Sequence, residues 1–585
     1  MKSLRLLLLG FLLLGLVAPH IYGREIKIHI AVTTDVHARL FPYDFIHDRP
    51  MQASLANVFY LIESARLRQG SNLILLDNGD LLQGSPAAYY ANFVQESDKN
   101  LFSRVMNLMK YDAATIGNHD IEAGPDVYNR LKDEFKFPWL GANVLDKTTG
   151  KPYFEPYTVI RRQGIRIAVL GLTSPSVPNW LPPKLWEGLM FQDMVEAASY
   201  WVNYIREHEA PDAIVGLFHS GIGPLQPPAD AHPLENASGY IAKNVPGFQV
   251  IFTGHDHRER LQSITNIDGD EVLVIGGGHF AENIGVAELT FNRVERRVYA
   301  FRGAIGELVS TRNIAPSQTF FRTFEKDVSE ILIFSKEVVT WLNNDLNTMD
   351  ALFGSAAFTD LVHQVQLQST GADISFTAPL VVGETINAGQ LQRRDFFRMY
   401  EYENYLYTMS LTGQEVVDFL EYSYGLWLNE MQDDSDHLLR FRLNNDGTVA
   451  SARHPRHMLS NPFYNFDSAA GIRYQVDVSK PVGSRVHILG MENGDPFHAE
   501  RTYRVAINSY RGSGGGGHLT HGAMIPHEEL QSRIIATSEN DIRSVMIEYF
   551  SDKESITPEP RNNWQVIPES WKDKGMAKDM ELLMQ

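Results

Sequence analysis

Cysteine is absent from all 585 residues of the chain. That excludes disulfide stapling, a thiolate metal site and a cysteine nucleophile. Long apolar runs are missing as well. The one extended uncharged stretch, Leu6 to Val17, is shorter than the ~20 residues a membrane-spanning helix needs. Positive charge is scarce: 52 Lys and Arg face 71 Asp and Glu, a net charge of −19. Such a surface argues against duplex nucleic acid as a partner, because phosphate backbones call for Lys and Arg. A small anion remains compatible if bound cations supply local positive charge. Internal repeats and low-complexity segments are also lacking.

What is present begins with a basic start, Lys2 and Arg5, ahead of the apolar stretch, and small residues at Ala18 and Gly23. Residues 1–23 therefore read as an export signal, with no stable membrane insertion once it is removed. An exported chain without disulfides rests on ordinary cores, which suits a bacterial periplasm or a secreted protein. The remainder is too long for one core, so two domains are expected. Strand-like runs at Ile26–Thr33, Asn72–Leu76, Ala113–Ile116, Ile165–Leu170, Ala213–Phe218, Val250–Thr253 and Val272–Ile275 alternate with helical patterns at Ala53–Arg68, Leu101–Lys110 and Ala198–Glu209. That alternation predicts α/β layers over residues 24–315. Phe320–Asn344 is long and amphipathic and predicts a linker helix within 316–347. Residues 348–585 mix helical patterns (Asp360–Gln368, Gly413–Tyr424) with strand patterns (Ile472–Val478, Tyr503–Asn508), an α+β signature. The early part of the tail after Pro558 is expected to pack, and its end to be loose.

Five polar clusters end apolar strand-like runs: Asp35-Val36-His37, Asn78-Gly79-Asp80, Gly117-Asn118-His119-Asp120, His219, and Gly254-His255-Asp256-His257. Site residues of open α/β sheets sit at such strand ends. Asp35 and His37, two apart in an extended chain, would point to one side. Gly79 permits a tight turn before Asp80, whose two oxygens can bridge two cations. His255 and His257 can address two neighbouring cations. Carboxylate, imidazole and amide in this mixture hold hard or borderline divalent ions such as Mn, Zn, Fe or Mg. His119 is placed as a general acid rather than a ligand, with Glu122 or Asp120 as its acidic partner. Each cluster alone also fits a turn, a helix cap or a structural histidine. His29, His47 and His363 lack this context and read as structural, as does His279 after its glycines.

The ordered set resembles the calcineurin-like metallophosphoesterases. Asp360-Leu361-Val362-His363, Gly371-Ala372-Asp373-Ile374-Ser375, Gly471-Ile472-Arg473-Tyr474 and Asn508-Ser509-Tyr510-Arg511 resemble the 5′-nucleotidase C-terminal domain. The resemblance implies a layered β-sandwich flanked by helices, followed by an α+β substrate-binding domain. It implies one metal on Asp35, His37, Asp80 and His257, and a second on Asp80, Asn118, His219 and His255. His119 would be the catalytic histidine. The family often has Asp three residues after that histidine; here the position is Glu122.

The same resemblance places a nucleobase between two aromatic rings, Phe466 and Tyr510, with Tyr464 competing for the first place and Arg511 beside the second. The glycines after Tyr510 would let backbone approach ribose or phosphate. The segment Thr377-Ala378-Pro379-Leu380-Val381 lacks the phosphate-binding arginine of 5′-nucleotidases. The resemblance therefore points to dinuclear-metal hydrolysis of 2′,3′-cyclic nucleotides and 3′-nucleotides, with 5′-nucleotides or UDP-sugars as the alternative and a non-catalytic nucleotide-binding protein as a remote one.

Overall fold

A computed structural model describes residues 25–227, 233–295, 298–450, 452 and 457–584. The segment read as an export signal lies outside the described residues. No described helix is long and apolar enough to cross a membrane.

Two six-stranded sheets form the centre of the N-terminal half. The first runs, edge to edge, through Val298–Ser310, Asn283–Glu295, Glu25–Thr33, Leu73–Asp77, Ala113–Thr115 and Trp139–Leu140. The second runs through Glu259–Thr265, Glu271–Gly277, Val250–Thr253, Ala213–His219, Ile165–Thr173 and Tyr157–Arg162. In the second sheet the central neighbours pair in parallel and hairpins close both edges antiparallel. In the first, the strands from Glu25–Thr33 to the Trp139–Leu140 edge run parallel, and Glu25–Thr33 pairs antiparallel with Asn283–Glu295 of the hairpin at the other edge. Side-chain alternation explains the layering. Ile28, Ile30 and Val32 face Val215, Leu217 and Phe252 between the sheets. Ala31 and Leu75 face the opposite way, against helix Leu55–Gln69 and its neighbours. Leu170, Ile214 and Val274 likewise face helices Met194–Glu209 and Ser238–Asn244. The strands are apolar on both faces because both are covered.

The expected linker helix is shorter than its amphipathic pattern. It spans Gln318–Ser335, and the chain then enters a strand, Val338–Leu342. Phe320 and Phe324 fix the helix in the N-terminal core. The strand pairs with Gly389–Gln392 and with Ser555–Ile556 of the C-terminal half. The β-branched pair Val338 and Val339, which fits a helix stripe equally well, is claimed by sheet pairing.

A five-stranded sheet organises the second half, in the order Ser468–Ala470, Ile374–Thr377, Thr502–Asn508, Tyr405–Thr412, Ile534–Asp541. Helix Gly413–Trp427 starts at a capping box in which Thr412 and Glu415 each bond the other's backbone N–H. The end of the chain is not loose. Glu569–Leu583 is a helix, and its buried Asp579 accepts from Leu439 N–H at 2.7 Å and pairs with His437. Leu583 is buried in the second domain's core.

Candidate metal centre and interdomain cavity

Strand Glu25–Thr33 stops just before the first ligand-type residues. Asp35, His37 and Ala38 then take φ of 49°, 47° and 56°. This is left-handed backbone, not the extended chain expected from the i, i+2 spacing. The two side chains converge because the loop is laced to its neighbour: Asp35 N–H donates to Gly79 O, His37 N–H to Asp80 O and Ala38 N–H to Leu81 O, each at 3.0 Å. Asp80, His255 and His257 are left-handed too, with φ of 57°, 72° and 56°. Such positions are costly for residues other than glycine and collect at functional sites.

Asp120 does not approach the ring of His119. Its carboxylate accepts from the N–H groups of Asp80, Leu81, Leu82 and Gly117 at 2.8 to 3.2 Å. It fastens the Asp80 turn to the start of helix Asn118–Glu122. Gly117 is required there, since a Cβ would lie 2.1 Å from Asp80 Oδ1. The acidic partner of His119 is Glu122, whose buried carboxylate pairs with Nδ1. Burial works against a charged imidazole, but Glu122 and Asp80 outweigh it and hold His119 at about 10.

Two donor groups form among the described residues. Asp35, His37 and His257 make one; Asp80, His219 and His255 make the other; within each, the donor atoms lie within 4.8 Å of one another. Asn118 Oδ1 stands 3.1 Å from His219 Nε2 and 2.9 Å from His255 Nδ1, which adds it to the second group. The residues fit cations. Nε2 of His37 and Nε2 of His257 face each other at 3.0 Å. Asp80 Oδ2 is buried and accepts no hydrogen bond, although His219 Nε2 is 3.1 Å away. Burial, reinforced by the charge of Asp80, pushes Asp35 up to about 7. Burial likewise pushes His37 down to about 3, so its imidazole stands neutral beside a raised carboxyl, a pairing a cation would relieve. The calcineurin-like phosphoesterases use two divalent metals, and this chain supplies a group of donors for each. His279 stacks on His257, centroids 4.9 Å apart and planes at 8°, so it borders the centre.

A cavity of 320 Å³ opens beside the centre, between the domains. Asn118, His119 and His255 line it from one side; Tyr464, Asn508 and Tyr510 line it from the other. No Arg or Lys is among its described lining residues. Three larger hollows, of 590, 680 and 370 Å³, contain none of these side chains.

Two of the expected substrate contacts do not reach the cavity. Phe466 is fully buried and stacks on Trp427, centroids 5.4 Å apart and planes at 4°. The short 3-10 turn Phe463–Asn465 puts Tyr464 outward and Phe466 inward. Arg511 is also buried; its guanidinium is engaged by Asp467 at 2.8 Å and by the Tyr464 carbonyl at 2.8 Å. It braces the aromatic wall from behind. The glycine run packs against the same wall. A Cβ on Gly516 would meet Arg511 Nη1 at 2.0 Å, and one on Gly515 would meet the Tyr510 ring at 2.6 Å. Trp180 and Glu235 line the cavity without having been singled out by any sequence motif.

Residues 28–259 match the family described as calcineurin-like phosphoesterase, and residues 338–521 match the 5′-nucleotidase, C-terminal domain. The chain is 25% identical to a 2′,3′-cyclic-nucleotide 2′-phosphodiesterase/3′-nucleotidase of Yersinia enterocolitica, over 95% of this chain and 90% of that protein. It is 26% identical to a trifunctional nucleotide phosphoesterase of Bacillus subtilis over 97% of this chain, but it spans only 41% of that relative's length. Among solved structures, a putative 5′-nucleotidase from Staphylococcus aureus shares the fold at a TM-score of 0.74 and 22% identity, covering 92% of this chain and 100% of that one.

Proposed function

We propose that this chain, in which a calcineurin-like phosphoesterase domain is joined to a 5′-nucleotidase C-terminal domain, is a metal-dependent phosphoester hydrolase whose substrates are 2′,3′-cyclic nucleotides and 3′-nucleotides. The observation that carries this reading is the shared cavity. One set of walls presents His119 together with Asn118 and His255 of the second donor group, and the other presents two tyrosines that can hold a base. When bound, the two cations polarise the phosphate and supply hydroxide near neutral pH. His119 holds its proton on the nitrogen that Glu122 does not occupy, and delivers it to the departing ribose oxygen. Tyr464 and Tyr510 orient the base by stacking, which tolerates any base. Because no Arg or Lys is among the described lining residues, phosphate charge falls there to the cations and His119, which suits the singly charged cyclic diester. The relatives named as 2′,3′-cyclic-nucleotide 2′-phosphodiesterase/3′-nucleotidases support the same choice. Residues 1–23 export the enzyme to the periplasm or beyond.

Phosphate or ring-opening rates on 2′,3′-cyclic AMP, 3′-AMP, 5′-AMP and UDP-glucose, each with a chelator control, test this. The first two should turn over fastest and only with divalent metal. A clear preference for 5′-AMP, or full activity in chelator, would overturn the reading.

A further inference from the structure

His255 is held differently from His219 and His37. Nδ1 of His219 donates to the backbone carbonyl of Asn78 at 2.7 Å, and Nδ1 of His37 lies 3.1 Å from the amide oxygen of Gln83. Both partners are neutral and buried. His255 turns Nδ1 toward Asn118 and places Nε2 3.1 Å from the Glu235 carboxylate. The indole of Trp180 lies against its ring, centroids 5.3 Å apart and planes at 25°. Glu235 and Trp180 are both cavity residues.

Glu235 is anchored although its side chain is half exposed. Ser220 Oγ donates to its backbone carbonyl at 3.1 Å, and the Asn236 amide donates to its carboxylate at 3.3 Å. Asn236 in turn accepts from Gly221 N–H at 2.7 Å. The carboxylate is thus tied to the loop that follows His219. Gly223 is essential to that contact: its φ is +60°, and a Cβ would meet the Asn236 carbonyl at 1.8 Å.

We infer that Glu235 and Trp180 are positioning residues for the cation held by Asp80, Asn118, His219 and His255. This rests on the two-cation reading above. A carboxylate that accepts the outer N–H of a ligand imidazole fixes its tautomer and makes the inner nitrogen more basic. Here that leaves the Nδ1 lone pair directed at the Asn118 side, where the second donor group gathers. Trp180 bars the ring from swinging into the cavity. The two residues therefore act on one cation of the pair, and a nucleotide in the cavity meets the same groups that hold it.

The full-length protein, stripped with chelator, is titrated with Mn²⁺ by calorimetry, with far-UV circular dichroism as the fold control. Wild type is expected to bind two ions. Glu235→Ala and Trp180→Ala should bind one ion as wild type does and the other about 10- to 100-fold more weakly. Glu235→Gln keeps an acceptor oxygen and should lose less at the same site, which also serves should Glu235→Ala fail to fold. Binding unchanged from wild type, or equal weakening of both ions, overturns the inference and leaves the hydrolase reading standing. Fewer than two ions on wild type overturns the two-cation reading itself.

Discussion

On its N-terminal side the interdomain cavity is bounded by two imidazoles, an amide, two carboxylates and an indole, carried by helix Asn118–Glu122 and by loops. On its C-terminal side it is bounded mainly by tyrosines and amides carried by loops and two short helical turns, Phe463–Asn465 and Ser509–Gly512. The first wall works through single donor atoms, each at one place. The second works through ring area, and several aromatic side chains could supply it. On the proposed reading, substitutions in the two walls should separate turnover from binding.

The largest effect tests the first wall. His119→Ala should lower kcat about 10²- to 10⁴-fold, the usual share of a general acid, while two metal ions and KM stay near wild type. Steady-state kinetics with metal analysis checks this; a near-normal kcat would remove His119 from the reaction. Next comes the second wall. Tyr510→Ala should raise KM by about 5- to 150-fold, equivalent to ~1–3 kcal/mol of base stacking, with a much smaller change in kcat. Phe466→Ala should do the reverse, costing ~3–5 kcal/mol of stability and leaving KM of the folded fraction alone. Should Phe466→Ala raise KM without lowering Tm, the recognition wall has been drawn in the wrong place.

The smallest effect lies at the seam between the domains. His47 sits 2.8 Å from Asp44 of its own domain and 3.7 Å from Glu384 of the other. Bonding to Asp44 and then Glu384 raises it to about 9. Its folded pKa exceeds the unfolded value of about 6.5, so its contribution is complete below that pH and disappears as pH rises through about 9. Denaturation of His47→Ala against wild type should show a gap of up to about 1 kcal/mol at pH 6 that closes by about pH 10. A gap that persists or widens in alkali would contradict the pairing.

The residues that meet in the two donor groups are legible in sequence because few side chains bind hard cations and each ends an apolar run. The reason given for Asp35 and His37 is another matter. An extended i, i+2 pair was expected, and the backbone is left-handed at both, held by hydrogen bonds to a loop more than 40 residues away. The partner of His119 was open between two acids; only the turn of helix Asn118–Glu122 separates Asp120, which faces backbone N–H groups, from Glu122. Tyr464 and Phe466 are indistinguishable by spacing, since one short turn decides which ring goes inward. Trp180 and Glu235 carry no local signal, because each gains its place through contact with a ring in another loop. The C-terminal helix reads as a polar tail because its apolar contacts are few and spaced among charges, Leu583 in the core and Met576 and Met580 against it, with the buried carboxylate of Asp579 adding a tie to Leu439 N–H.

The left-handed ligand loops carry a consequence for the evolution of the molecule. Asp35, His37, Asp80, His255 and His257 occupy backbone that glycine would adopt freely. Replacing any of them with glycine would relax the chain while deleting a donor atom. Selection for heat tolerance alone would therefore erode the reaction centre first, a trade-off between robustness and activity. Its persistence would mark a lineage in which turnover, rather than durability, has been kept.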